Sequence, residues 1–268
     1  MMKRFRVEPG SKVDLQKFKP DSTKGFKGGK KEAEKCFVPL CQRLDAIQEA
    51  MWAEHKHRVL VILQGIDTSG KDGTIRHVFQ NVNPLGVRAV GFKVPTEEER
   101  DHDFLWRIHS QVPGAGEMVI FNRSHYEQVL PVRVLELEPP EVWHRHFDQI
   151  NDFERLLAET GTTVIKFFLH ISKEEQKKRL QDRLDDPTKQ WKFRKGDLVD
   201  RGHWNEYMNA YEDLLSRTSQ KWAPWYIVPS DKKWFRNLVV ATVLVETMED
   251  LGIQLPRAEE DLKGIVIE

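Results

Sequence analysis

One short segment of the chain restricts its fold more than any other. Residues 58–63 form a continuous apolar run that is rich in β-branched side chains. Such a run is typical of a strand buried on both faces of a parallel sheet. A glycine-rich turn over residues 65–70 follows, and a helix-compatible segment begins at Lys71. This order of strand, tight turn and helix predicts an α/β domain with a parallel sheet.

The same alternation continues along the chain. We predict further strands over residues 87–94, 118–121, 164–171 and 225–228. Apolar residues at helical spacing predict helices over residues 31–55, 71–81, 97–111, 124–135, 141–159, 173–184, 203–217 and 232–251. The pattern predicts a three-layer sandwich, in which helices flank a parallel five-stranded sheet on both sides.

Length and composition narrow the class of protein. The 268 residues suit one α/β domain with a small mobile insert. The formal net charge is +0, so a polyanion site would depend on local patches of charge. Two cysteines, Cys36 and Cys41, cannot build a disulfide framework, and we expect reduced thiols. We find no secretory signal and no membrane-spanning run, and expect a cytoplasmic protein.

Two parts of the chain differ in composition from the rest. Residues 1–31 hold ten Lys and Arg against three acids, and predict either a solvated arm packed on the surface or an electropositive flank for an anionic chain. Residues 32–268 would form the main domain. Within it, a polar, basic segment punctuated by Pro187 and Gly196 predicts a lid over about residues 180–202, or an ordinary loop.

The turn after the first strand has the features of a phosphate-binding loop. Small residues allow backbone N–H groups to turn toward phosphate oxygens, and the following helix start adds partial positive charge. Lys71 supplies a full charge for the outer phosphates. The predicted phosphate-binding residues are Gly65, Thr68, Ser69, Gly70, Lys71, Asp72, Gly73 and Thr74.

Two carboxylates in this loop depart from the usual pattern. A P-loop places Ser or Thr after Gly-Lys to bind Mg²⁺, whereas here the position holds Asp72, and Asp67 lies inside the loop. A carboxylate beside phosphates is repelled unless a cation lies between them. We predict that Asp67 binds the metal or orients the attacking phosphate. Asp72 either takes part in the site or caps the helix.

A second set of candidates follows the predicted strand 118–121. Ligands bind beyond the carboxyl ends of strands in doubly wound sheets, and Asn122, Arg123 and Glu127 lie there. Arg123 can grip a phosphate with two nitrogens. The predicted metal ligands are Asp67, Asn122 and Glu127, although Glu127 is equally compatible with a helix-start carboxylate.

The lid supplies further cations. Arg179 and Arg183 are four residues apart on one helix face, and Lys189, Lys192 and Arg194 follow. A mobile cationic lid neutralises the transferring phosphoryl group and excludes water. Trp191 either stacks on a base or, as we expect, anchors the lid by packing. We further predict a polyphosphate channel lined by Arg76, Lys93 and Arg133. The histidine pairs 55/57, 102/109 and 144/146 could suggest zinc, but no Cys or acid cluster with ligand spacing lies near them, and we expect surface histidines.

The loop resembles that of the polyphosphate kinase 2 family, whose members carry a Gly-Lys-Asp-Gly form. Further blocks over about residues 25–255 look like the family's in the same order: Asn83-Pro84, 121–127, 167–176, 186–192 and 223–226. The subgroup that accepts nucleoside mono- and diphosphates is the most similar. Ser69, where the family often has glycine, is still small.

The resemblance implies a P-loop kinase-like fold with a helical/loop lid, an active site and its substrates. It places Asn122 and Arg123 in the active site and makes the segment around 185–197 the lid over the nucleotide phosphates. With the residue-level reasoning, it predicts Asp67, Lys71, Arg123 and Arg183 as catalytic. It implies Mg²⁺, with Mn²⁺ as an alternative, inorganic polyphosphate, adenine nucleotides with guanine nucleotides as an alternative, and a homo-oligomer (dimer or tetramer).

Three functions are compatible with these features. The first is reversible, Mg²⁺-dependent phosphoryl transfer between inorganic polyphosphate and AMP or ADP. The second is an ATP-dependent nucleoside monophosphate kinase, which the missing hydroxyl after Lys71 disfavours. The third is a nucleotide-binding regulator without turnover; the Asn-Lys-x-Asp motif of guanine-specific switches is absent from the sequence. We expect no nucleic-acid or membrane partner.

Overall fold

The computed structural model describes residues 2–258 and residue 267, so the end of the predicted domain 32–268 lies outside the described residues. Within this part of the chain, five strands form one parallel sheet in the order β2-β3-β1-β4-β5. The strands are β1 (Arg58–Gln64), β2 (Val87–Gly91), β3 (Met118–Asn122), β4 (Thr162–His170) and β5 (Trp225–Pro229). The predicted sheet is confirmed.

Helices connect successive strands. The α-helices are α1 (Lys30–Glu54), α2 (Lys71–Val78), α3 (Glu97–Asp101), α4 (Trp106–His109), α5 (Leu130–Val134), α6 (Pro140–Glu159), α7 (Lys173–Asp185), α8 (Gly196–Gly202), α9 (Trp204–Thr218) and α10 (Lys233–Asp250). Among the residues that the structure describes, no helix combines the length and apolar character needed to cross a bilayer.

The sheet separates two apolar cores. Alternate residues of β1 serve opposite faces, since Leu60 and Ile62 pack with α6 and α9 while Val59 and Val61 pack with α1 and α10. All four side chains are fully buried. A strand buried on both faces reads as a continuous apolar run, which is why β1 was recognisable from the sequence.

The register of the sheet brings two loops together. Leu63 at the end of β1 pairs with Asn122 at the end of β3, and Gln64 pairs with Phe168 on β4. β1 therefore lies between strands whose connections run in opposite directions. In open α/β sheets, ligands bind in the crevice that this arrangement opens beyond the strand ends.

Two predicted helices are divided in the structure. The helix predicted over 97–111 is replaced by α3 and α4, because the Asp103 carboxylate accepts from the Leu105 N–H at 2.9 Å and forms a turn between them. The helix predicted over 124–135 becomes a 3-10 turn at His125–Gln128 followed by α5. Pro131 has no N–H to donate and lies in the first turn of α5, where such a donor is not needed.

The strand predicted over 87–94 ends at Gly91, and the predicted lid contains helix α8, whose bounds the sequence did not indicate. The Lys93 carbonyl accepts instead from Arg107 at 2.9 Å, outside the sheet. Helix α8 carries Leu198 and Val199 largely exposed, so its sequence lacks the apolar face that identifies a helix.

The N-terminal segment is an integral part of the domain. Phe5, Val7, Val13 and Leu15 are buried in the two cores. The Val7 N–H donates to the Trp225 carbonyl at 2.8 Å, so the segment runs beside β5. Its lysines at 12, 17 and 19 remain exposed. The arm thus contributes to the core through its apolar residues and to the surface charge through its basic ones.

Candidate active site

The loop after β1 adopts a backbone that requires glycine at both ends. Gly65 has φ of 153° and Gly70 has φ of 106°. A Cβ on Gly65 would lie 2.8 Å from the Leu169 carbonyl oxygen, and one on Gly70 would lie 1.8 Å from Arg236 Nη1. The positions leave no room for a side chain, so the glycines define the curvature of the loop.

The other predicted residues of the loop differ in their hydrogen bonding. Thr68 has φ of 65°, and the hydroxyls of Thr68 and Ser69 are buried without a hydrogen-bond partner among the described residues. Thr74 Oγ1 donates to the Gly70 carbonyl at 3.0 Å, and Gly73 lies in the first turn of α2. Buried hydroxyls without partners are candidates for a ligand or a water.

Lys71 is folded over the loop. Its Nζ donates to the Gly65 carbonyl at 2.6 Å, and the residue is 8% exposed. Burial, together with the charge of Arg123, lowers the pKa of Lys71 to about 8 against the attraction of nearby acids. A carbonyl partner leaves the charge of Lys71 uncompensated at close range. The ammonium group is therefore suited to bind an anion at the loop.

Arg123 joins the ends of β3 and β1. Its Nη2 lies 2.6 Å from Asp67 Oδ1 and its Nη1 lies 3.0 Å from Glu127 Oε2. The two carboxylates, chiefly Glu127, raise the pKa of Arg123, so the guanidinium is always charged. Burial raises the pKa of Asp67, but Lys71, Arg123 and Arg183 outweigh it and the pKa lies below its usual range. Three of the four predicted catalytic residues thus meet at one point, and Arg183 acts on Asp67 through its charge.

Asp72 connects the loop to β3 and to the lid. Its Oδ1 accepts from Asn122 Nδ2 at 2.8 Å, and its Oδ2 lies 3.7 Å from Lys192 Nζ. Burial raises the pKa of Asp72, but the Asn122 hydrogen bond and Lys192 hold it below its usual range. Asp72 therefore contacts both Asn122 on β3 and Lys192 in the lid, which is more than a residue that only caps α2 would do.

Arg179 lies beneath the loop, on the side of its carbonyl groups. Its five N–H groups donate to the carbonyls of Thr68, Ser69, Ser230 and Asp231 and to the Glu175 carboxylate. A fully engaged, buried guanidinium has no donor left for a phosphate in this structure. In this structure Arg179 stabilises the shape of the loop, and the predicted phosphate contact stays a prediction.

Arg236 was missed by the sequence analysis. Its guanidinium is 2% exposed, donates to Asn237 Oδ1 at 2.8 Å and lies against Gly70. Burial and the nearby Arg179 lower the pKa of Arg236 to about 9. Arg236 lies in the first turn of α10, far from the loop in sequence, and only the glycines at 70 and 73 indicate that a side chain packs closely there.

The lid residues are held mainly by one another. Arg183 Nη1 lies 3.2 Å from both Asp197 Oδ2 and the Lys192 carbonyl. Lys189 pairs with Asp186 at 2.5 Å, and Arg194 is exposed. These pairs preserve the fold of the lid while its cations remain close to the loop.

The predicted anchoring role of Trp191 is wrong. Its side chain is 77% exposed, and its indole N–H donates to the Thr188 carbonyl at 3.0 Å within the lid. Lys192 Nζ lies 5.0 Å from the centre of the ring. The ring is thus presented to solvent beside a lid cation.

The three residues of the predicted channel lie on separate elements. Arg76 on α2 and Lys93 after β2 are exposed. Arg133 on α5 pairs with Asp213 on α9 at 2.5 Å, and its guanidinium lies 5.1 Å from the centre of the Trp143 ring. Arg133 therefore contacts neighbouring helices through Asp213 and Trp143. The polyphosphate channel remains a prediction that rests on Arg76 and Lys93.

The residues predicted to bind metal fit one mode of magnesium binding. The described residues contain no group of three or more His, Cys, Asp or Glu that could enclose an ion. Mg²⁺ is commonly held by one or two carboxylates together with substrate phosphates and water. Asp67, which is ionised and is also bound to Arg123 at 2.6 Å, supplies a carboxylate inside the loop for that mode. Glu127 is bound to Arg123, and the Asn122 amide is bound to Asp72.

Two cavities open beside these residues. A cavity of about 90 Å³ is bounded by Asp67, Arg123, Glu127 and Asp200 on one side and by Leu130 and Tyr211 on the other. A larger cavity of about 540 Å³ begins at Gln128 and is lined by Phe104, Arg107 and His146 among others. The first cavity lies at the loop, whereas the larger one shares no lining residue with it and is related to it only through Gln128, which follows Glu127 in the chain.

The sheet order, the glycine-bounded loop after β1 and the cationic lid define a P-loop protein of the kinase-like class. The chain belongs to the polyphosphate kinase 2 family: residues 27–256 match the model of the family described as Polyphosphate kinase 2. The predicted fold class and family are thereby confirmed.

Similar proteins cover nearly the whole chain. It is 54% identical over 267 residues, and over 100% of both chains, to the AMP/ADP-polyphosphate phosphotransferase of Meiothermus ruber. It is 42% identical to the ADP-polyphosphate phosphotransferase of Rhodopseudomonas palustris, covering 95% of this chain and 92% of that one. The crystal structure of polyphosphate kinase 2 from Arthrobacter aurescens TC1 matches with a TM-score of 0.93 and 43% identity, over 97% of this chain and 92% of that chain.

Proposed function

We propose that the protein transfers phosphoryl groups reversibly between inorganic polyphosphate and adenine nucleotides, with both AMP and ADP as acceptors. The observation that carries the proposal is the end-to-end similarity, at 54% identity, to a relative named for both acceptors. The geometry agrees with it, because Lys71 and Arg123 place two cationic groups at the loop. A cytoplasmic location and a homo-oligomeric state remain predictions.

The side chains divide the work of transfer. Loop amides and Lys71 would hold the donor phosphates, and Arg123 would neutralise charge on the phosphoryl group as it moves. The acceptor phosphate oxygen is already anionic, so no strong base is needed and Asp67 orients rather than deprotonates. Arg183 and Lys192 would exclude water when the lid closes. Mg²⁺, held by Asp67, would neutralise charge shared by donor and acceptor phosphates.

The larger cavity supports a nucleoside as part of the acceptor. It begins one residue after Glu127, and its volume of about 540 Å³ lies within the usual range for small-molecule sites. Phe104 and His146 offer aromatic surface, with ring centroids 4.5 Å apart.

The test is a matrix of donors and acceptors. Purified protein with Mg²⁺ is given polyphosphate or ATP as donor and AMP or ADP as acceptor, and products are separated by chromatography. We expect ADP and ATP from polyphosphate, and loss of turnover in Lys71→Ala but not in Lys195→Ala, an exposed lid control. Transfer from ATP but not from polyphosphate would favour a nucleoside monophosphate kinase. Nucleotide binding without transfer would favour a regulator.

A further inference from the structure

A lysine lies in the middle of the core. Lys166 is on β4, on the face that packs against α6 and α9, and it is fully buried. Its neighbours on the same face of the strand, Val164 and Phe168, belong to the apolar core. A buried charge is unfavourable unless it is paired and hydrogen-bonded, so its surroundings are informative.

Lys166 is at the centre of a hydrogen-bonded group of side chains, in which His125 Nδ1 is buried without a partner among the described residues. Its Nζ donates to the Glu154 carboxylate, to the Tyr126 hydroxyl at 2.8 Å and to the Thr218 carbonyl at 2.7 Å. Glu154 Oε1 also accepts from the Tyr126 hydroxyl at 2.8 Å and from His125 Nε2 at 3.2 Å. We call His125, Tyr126, Glu154 and Lys166 the buried polar cluster.

A gain in the free energy of folding does not by itself explain why the core contains this cluster. Replacing a buried ion pair by apolar residues of similar volume is often neutral or stabilising. What distinguishes this cluster is its membership: His125 and Tyr126 are consecutive residues of the loop after β3, while Glu154 and Lys166 come from α6 and β4. The cluster therefore fastens the loop to the core.

The loop that it fastens carries two residues of the site. Residues 124–126 are buried, whereas Arg123 and Glu127 on either side are partly exposed and contact each other. Arg123 has φ of 65°, which is unfavourable for a residue with a Cβ and persists only where the surroundings fix it. From the other side, the Arg123 N–H donates to the Leu63 carbonyl at 3.2 Å.

We propose that the buried polar cluster positions Arg123 and Glu127 for phosphoryl transfer. Its members do not touch substrate; they are positioning residues that act through the loop. The inference rests on the proposed function for its kinetic test, and on the conformation of Arg123 for a test that needs no turnover.

The kinetic test uses changes that preserve shape. Tyr126→Phe removes only the hydroxyl, and Glu154→Gln removes only the charge. The matched control is Thr242→Val, which removes a buried hydroxyl on α10, on the opposite face of the sheet. We expect kcat to fall about ten- to a hundredfold in the two cluster variants, with KM for polyphosphate and AMP little changed, because misplacement of a catalytic group acts on the transition state. The control keeps its kcat.

A double-mutant cycle distinguishes an effect that acts through the position of Arg123 from a general loss of structure. If the cluster acts through Arg123, Tyr126→Phe lowers kcat in the wild type but has less than about a twofold effect in an Arg123→Ala background. An equal effect in both backgrounds would overturn the proposal. So would a wild-type kcat in both cluster variants.

A spectroscopic test keeps the inference independent of the proposed function. The Nε–H signal of Arg123 in a ¹⁵N NMR spectrum is assigned by its loss in Arg123→Lys. It should shift or broaden in Tyr126→Phe and stay in place in Thr242→Val. If the wild type transfers no phosphate but the signal moves, the proposed function fails and the positioning role stands. An unmoved signal overturns the positioning role.

Discussion

Arg123 Nη2 lies 2.6 Å from Asp67 Oδ1, and this contact joins the end of β3 to the phosphate loop after β1. The same guanidinium holds Glu127 through its other nitrogen. A planar fork can hold two carboxylates and still present its face or edge to a phosphate, whereas an ammonium group cannot. The contact therefore sets the distance between the two halves of the site.

Arg123→Lys should inactivate the protein without unfolding it. Lysine keeps the charge but cannot bridge Asp67 and Glu127, so we expect kcat to fall by about 10²-fold or more. Steady-state kinetics with polyphosphate and ADP measure this. Arg155→Lys, at an exposed ion pair with Asp152 on α6, is the control. Activity near that of the wild type would show that the bridge is dispensable.

Asp67→Asn should raise the requirement for metal. The amide keeps an oxygen but loses the charge, and we expect half-saturation by Mg²⁺ to move about tenfold higher. Chelation with EDTA should abolish transfer in both proteins. Asp152→Asn serves as the control. An unchanged Mg²⁺ titration would remove Asp67 from the metal site.

Activity should decline above the pKa of Lys71. The free protein has Lys71 half-protonated at about pH 8, with Arg123, Asp67, Glu127 and Asp72 as the charged groups around it. Since the cationic form binds phosphate, kcat/KM for polyphosphate should fall as pH rises through about 8. Lys71→Arg should retain residual activity, and its kcat/KM should not fall over this pH range because arginine stays charged. A flat profile to pH 9.5 in the wild type, well beyond the value of about 8, would contradict the assignment.

The same pKa has a consequence for stability. Burial lowers the folded-state pKa of Lys71 from 10.5 to about 8, so the unfolded chain binds more protons between these values. The cost of burying the charged ammonium is present below about pH 8 and is relieved as pH rises toward 10.5. In Lys71→Met, this rising contribution to the free energy of unfolding should disappear.

Gly70→Ala should damage the loop. Its Cβ would meet Arg236 Nη1 at 1.8 Å, and alanine disfavours φ of 106°. We expect a loss of about 1–3 kcal/mol in the free energy of unfolding, together with loss of activity. Gly91→Ala at the end of β2, where a Cβ would meet nothing within 4 Å, is the control. Equal stability of the two variants would contradict the close packing.

Asp72→Asn should release the lid cation for substrate. The Asp72–Lys192 pair spans 3.7 Å with Asp72 66% exposed, and such pairs contribute about 0–1 kcal/mol. We therefore expect KM for polyphosphate to fall by at most about fivefold, with kcat largely retained. Lys195→Ala should leave KM unchanged. A rise in KM together with a shifted Mg²⁺ titration would instead place Asp72 at the metal.

The sheet and the loop could be predicted because their signals are local. The run at 58–63 is apolar on both faces, and Gly65, Gly70 and Lys71 lie within a few residues of it. The break between α3 and α4 depends on one Asp103 hydrogen bond, which periodicity does not register. Helix boundaries set by single side chains are therefore the weakest part of such a prediction.

The chemistry of individual cations was harder to predict. Arg179 and Arg183 are four residues apart on one face of α7. Arg179 nevertheless donates to loop carbonyls, whereas Arg183 pairs with Asp197 in the lid. Arg236 reaches the loop only through tertiary packing. Sequence identifies a basic residue near the site, whereas the tertiary fold decides whether it meets phosphate or backbone.

The N-terminal segment beside β5 also has a consequence for solution behaviour. An unpaired outer strand is a template on which another chain can add a strand and begin to aggregate. The hydrogen bonds between residues 5–7 and β5 occupy that template. In a chain lacking its first 20 residues, the backbone N–H and C=O groups on the outer side of Trp225–Pro229 would have no partner. We expect such a chain to self-associate.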